Sequence, residues 1–117
     1  MRIQFDRTDP VRMVQPDPPY EVVGDLLQGD LHFSDNARAN LLEWLASPGP
    51  PDKDGDPPTR SGNTVGLGHL GDRVRVESHY SGAPAIFVSP NELAWAVERW
   101  GESVKGRMGR KATVEGP

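Results

Sequence analysis

The chain has 117 residues, with 12 Pro, 13 Gly, no Cys and a formal charge of −4. That length suits one domain with a modest core, and the missing thiols exclude a disulfide frame, a cysteine nucleophile and a thiolate metal site. No apolar run approaches the ~20 residues of a membrane-spanning helix, and an acidic balance disfavours nucleic acid, whose binding is driven by clustered Lys and Arg.

Residues 1–45 hold 8 acidic against 4 basic side chains, whereas 106–117 hold 3 basic against 1 acidic. The acidity therefore sits in the N-terminal half and the tail is basic. The segment from Met1 to Asp6 lacks the apolar stretch of a secretory leader, so a cytoplasmic protein is expected.

Taken in chain order, Ile3 and Phe5 alternate with Gln4 and Asp6, which predicts a short strand with one wet face. Residues 8–19, interrupted by Pro10, Pro16, Pro18 and Pro19, read as an extended connection. Between Tyr20 and Phe33 the odd positions are mostly apolar, and Gly24 and Gly29 suggest a bulge, so part of this stretch is expected to be a strand. Ser34 or Asp35 can cap a helix that presents Ala37, Leu41, Trp44 and Leu45 as one apolar stripe.

The helix must end before Pro48. Residues 46–63 contain no apolar side chain larger than Ala46 and read as a long Pro/Gly-rich loop, because they cannot offset their own ordering entropy by burial. Gly71-Asp72 predicts a two-residue hairpin turn that sets Leu67 opposite Val76 and His69 opposite Val74. Val65, Leu67, His69, Val74, Val76 and Ser78 then share the core face, with Arg73, Arg75, Glu77 and His79 on the wet one.

Ala85 to Val88 completes a three-strand meander over 64–89 and is expected to be covered on both sides. Ser89-Pro90-Asn91-Glu92 carries a capping box with Pro at the first helical position, so a helix runs from there to about Lys105 and stops at Gly106. Leu93, Val97, Trp100 and Val104 form its buried stripe. Residues 106–117 read as a flexible basic tail, whose charges serve chiefly for solubility.

The expected architecture is α+β: one domain over 1–105, with a small antiparallel sheet made of the meander and the N-terminal strand, and two helices packed on one face.

Chemistry-bearing motifs are few. His69 and His79 fall on opposite hairpin faces and His32 lies in a separate segment, so no metal site is expected, and His69 reads as a hydrogen-bonded, half-buried side chain. Asp52-Lys53-Asp54-Gly55-Asp56 resembles the start of a calcium loop, but Pro57 and Asn63 stand where the loop pattern needs Gly and Glu. Gly66-Leu67-Gly68 lacks the Lys and helix start of a phosphate loop. No catalytic residue and no cofactor are singled out.

One feature rises above this background. Trp95 falls nearly opposite the stripe of the last helix, ringed by Glu98, Arg99 and Glu102. An exposed aromatic among polar groups marks an interface. The function expected is therefore a non-enzymatic protein-binding module, with Trp95, Glu98, Arg99 and Glu102 docking a basic protein partner that the acid excess attracts.

In size, charge and layout the chain resembles bacterial immunity proteins that neutralise toxins by binding them, though no motif carries that likeness. Two alternatives stand beside it. One is a small enzyme or ligand-binding domain with a pocket between sheet and N-terminal helix, worked by His69 or His32. The other is a regulator that dimerises through a sheet edge or through Ile86 and Val88.

Overall fold

Alternating side chains place Ile3 and Phe5 of β1 (Arg2–Asp6) inward, and the computed structural model, which describes residues 1–117, buries both completely or nearly so. β1 is the middle strand of a three-stranded antiparallel sheet. On one side it pairs with β2 (Val14–Pro16), where Ile3 faces Pro16, and on the other with the last strand, β7 (Lys111–Glu115), where Ile3 faces Val114. The N-terminal strand thus belongs to a sheet of its own and does not join the meander.

The supposed tail is one of its edges. Ala112 and Val114 alternate with Lys111, Thr113 and Glu115, and all five residues pair with β1, which corrects the expectation of a flexible segment over 106–117.

The expected strand over 20–33 is also overturned. α1 (Glu21–Gly24) runs without a break into a π-helical segment (Asp25–Leu31), which ends with the His32 amide donating to the Leu27 carbonyl. Val22, Val23, Leu26, Leu27 and Leu31 are buried at helical spacing. The glycines serve close approach, not a bulge: a Cβ on Gly24 would meet Pro16 Cδ at 2.9 Å, and one on Gly29 would meet Thr64 Oγ1 at 2.9 Å.

α2 (Asp35–Ala46) begins as expected, with the Ser34 hydroxyl accepting from the Ala37 amide. The loop that follows is irregular only as far as Pro58. Thr59–Ser61 forms β3, which pairs with β4 (Val65–Leu70) and so corrects the reading of 46–63 as loop throughout. β4 pairs with β5 (Arg73–Ser78) in the predicted register, Leu67 opposite Val76 and His69 opposite Val74, through a turn in which Gly71 takes φ +62. β6 (Ile86–Val88) completes the second sheet, in the order β3-β4-β5-β6.

α3 (Pro90–Val104) carries the complete capping box between Ser89 and Glu92. Gly106, at φ +76, takes the left-handed position just beyond its end.

Three helices and two antiparallel sheets make a mixed α+β fold around one continuous apolar cluster. The inner face of the second sheet, Val65, Leu67, Val74, Val76 and Val88, lies against α1 and the π-helical segment, and α2 packs on α3. Trp100 of α3 stacks on Phe5 of β1 with ring centroids 6.4 Å apart, tying the first sheet to the helices. No helix is long and apolar enough to cross a membrane.

Candidate binding site on the open face of the second sheet

One face of the second sheet carries the core, and the other has no helix or loop laid over its centre. In the observed register that outer face presents Thr59 and Ser61 of β3, Gly66 and Gly68 of β4, Arg75 and Glu77 of β5, and Phe87 of β6. The two glycines leave a trough along β4, because the strands beside them carry side chains and β4 does not. A cleft of about 510 Å³ lies over it, and the 52–57 loop supplies Asp52 and Asp56 to its wall.

The side chains in the trough are already interconnected. His79 Nε2 and Ser61 Oγ share a hydrogen bond at 3.0 Å, and the ring is seated over Gly66, where a Cβ would approach its Cε1 to 3.2 Å. Arg75 donates to Glu77. That hydrogen bond, then the Arg75 charge and more weakly the His79 ring, hold the Glu77 carboxyl below its ordinary range.

The loop carboxylates are organised too. Asp52 Oδ1 accepts from the amides of Asp54 and Asp56, each at 2.9 Å, and the three acids present oxygens within 4.8 Å of one another. No cation of the chain forms an ion pair with any of them. Around the trough lie exposed apolar groups: Phe87, 47% exposed on the outer face, with Leu70 and Tyr80 at the strand ends. Phe87 therefore overturns the expectation that its strand is covered on both sides.

Against this geometry stand the residues the sequence singled out. Trp95 is half-buried and packs against the core, with Gly116 so close that a Cβ there would overlap its ring. The reason is the unforeseen β7, whose end runs over the outer side of α3. Trp95 therefore does not stand free as a docking anchor.

Glu98 and Glu102 both face Arg99, so the polar ring around Trp95 is largely paired within itself. No family model, curated protein or solved structure matches this chain.

His69 lies on the core face, its ring 4.5 Å from that of Trp44, but its Nε2 is buried without a hydrogen-bond partner, contrary to the expected satisfied side chain. The space between sheet and helices is a 130 Å³ cavity with mostly apolar walls and Asp30 and Arg60 at its rim; neither His69 nor His32 lines it. Asp30 there accepts from the amides of Thr64 and Val65, which fixes the β3–β4 turn. Val88 is fully buried and Ile86 half-buried, so neither offers a free dimer surface.

Ser61, His79 and the glycine trough escaped the sequence reading. Gly66 and Gly68 are visible at period two, which is the one local signal. Their meaning depends on β3 arriving beside them, and nothing in Thr59-Arg60-Ser61 announces a strand.

Proposed function

We propose that this chain is a cytoplasmic, non-enzymatic protein-binding module that docks a basic segment of a protein partner across the open face of its second sheet. The observation that carries this reading is the uncovered trough over Gly66 and Gly68 with the unpaired carboxylates of Asp52 and Asp56 on its wall. Lys or Arg of the partner would meet these acids, and Phe87 and Leu70 would take its apolar contacts, a polar rim with apolar anchors. The net charge of −4 speeds encounter with a positive surface. In its narrowest form this is an immunity-type protein with a basic toxin as target, and a toxin-like reading frame beside the gene would support that form.

The test is a titration of the labelled protein with a short peptide of alternating Lys and Arg, followed by amide chemical shifts. Shifts confined to Thr59–Ser61, Gly66, Gly68 and Arg75–His79 are expected, with affinity reduced several-fold in Asp52→Asn/Asp56→Asn and falling with salt. Shifts spread evenly over all acidic residues, or centred on α3, overturn the reading.

A second reading, a hydrolase at a place other than the pocket expected from the sequence, would rest on the Ser61–His79 hydrogen bond. A hydroxyl nucleophile needs its base oriented by a third group, and no side chain hydrogen-bonds to Nδ1 of His79. Labelling of Ser61 by a serine-reactive phosphonate would favour that alternative.

A further inference from the structure

Three buried side-chain polar atoms in the molecule have no hydrogen-bond partner, and two of them belong to one groove: Nη1 of Arg38 and Nε of Arg99. Orphaned buried donors are rare in folded proteins, and a missing ion or ligand is one standard cause. The groove, about 280 Å³, runs between α2 and α3. Arg38 is only 6% exposed, so its charge is almost wholly removed from water.

Each guanidinium is engaged at one end and idle at the other. Arg38 Nη2 donates to Asp35, while Arg99 Nη2 pairs with Glu102 and lies 3.9 Å from Glu98. Gly101 makes the seat for Arg38, since a Cβ there would stand 3.0 Å from its Nε.

The electrostatic balance of the groove runs opposite to that of the chain. Arg38, Arg99, Lys105 and Arg107 line it against two carboxylates, Glu98 and Glu102, and both of those face Arg99. Asp35, just outside, is shared between Arg38 and Lys105, the latter at 3.5 Å. Arg107 makes no ion pair at all. A locally positive recess with idle guanidinium donors in a chain of net charge −4 is unexplained by folding alone.

We infer that the α2–α3 groove binds a small oxyanion, a phosphate or carboxylate group, through the idle N–H groups of Arg38 and Arg99 at its base and Lys105 and Arg107 at its mouth. Guanidinium donors match the oxygens of such groups and form strong, charge-assisted hydrogen bonds with them. The two idle atoms are out of contact with solvent, so a ligand reaches them only as neighbouring side chains move aside. This site is independent of the sheet face and stands or falls without it.

The arginine Nε–H signals report binding directly. Inorganic phosphate and acetate are titrated separately at constant ionic strength, with chloride as control. The expected result is a saturable shift of the Arg99 Nε–H signal with phosphate or acetate and none with chloride; the tighter of the two distinguishes phosphate from carboxylate. Arg107→Gln, an exposed change, should weaken that binding several-fold while leaving the melting temperature in chloride unchanged. Arg38→Lys, which keeps the charge but loses the fork, should abolish saturation. Linear shifts spread over all exposed Lys and Arg, or an equal response to chloride, would mean an adventitious ion only and overturn the inference.

Discussion

Trp100 shows how much one side chain can organise. It is fully buried, stacks on Phe5 at 6.4 Å and on Phe33 at 6.2 Å, and its indole N–H donates to the His32 carbonyl at 2.7 Å. That hydrogen bond anchors the turn in which His32 takes φ 51, a left-handed conformation costly for a side chain with a Cβ. Truncation should therefore cost more than apolar area. Trp100→Ala is expected to lose about 3–5 kcal/mol of stability through the cavity it leaves. Trp100→Phe should retain most of the packing and lose roughly 1–2 kcal/mol with the hydrogen bond. Trp95, half-buried beneath Gly116, should cost only about 1–2 kcal/mol on truncation to Ala, in line with its partial burial. Urea unfolding of the three variants measures this order; a Trp95→Ala as costly as Trp100→Ala would contradict it.

At the scale of elements, β7 is the piece whose removal tells most. It covers one side of β1 and, through Gly116, the outer side of α3. A chain ending at Arg110 should lose roughly 2–3 kcal/mol, from Val114, Ala112 and the part of the Trp95 ring it uncovers. Its tryptophan emission should shift to the red as that ring meets water. An unchanged spectrum would mean that the strand does not cover the indole. The elements legible in the sequence were those whose cause is local. Ser89 to Glu92 holds a whole capping box in four residues, Gly71-Asp72 sets the hairpin register, and Ser34 caps α2. Those missed depend on partners far along the chain. Lys111 to Glu115 alternates for only five residues and becomes a strand because β1 offers an edge. Gly24 and Gly29 looked like interruptions because Pro16 and Thr64, which need them small, are not neighbours in sequence. The candidate site was missed for the same reason: the glycines of β4 were visible, the strand that makes a trough of them was not. Glu98, Arg99 and Glu102 lie together on α3, but their most informative neighbour, Arg38, comes from another helix.

For the whole molecule, the question is whether two separate sheets make one cooperative unit or two. No strand is shared between them, since β2-β1-β7 and β3-β4-β5-β6 have no ladder in common. What joins them is side-chain packing: the buried cluster runs from Ile3 and Phe5 through Trp100 and Leu93 to Val76 and Val88 without a gap. The helices thus act as a common middle layer that neither sheet can lose without exposing the other's apolar face. Hydrophobic contact of this kind couples elements as firmly as hydrogen-bonded pairing does, because each face alone has too little area to offset its ordering entropy. A single two-state transition is expected. Tryptophan fluorescence, which reads α2 and α3, and the amide signals of Val65 to Val76, which read the second sheet, should give coincident urea midpoints. The amides of Ile3 and Phe5 should follow the same curve. If the first sheet melted earlier, with the amides of Val74 and Val76 still protected, Trp100 would not be the bridge that its contacts describe.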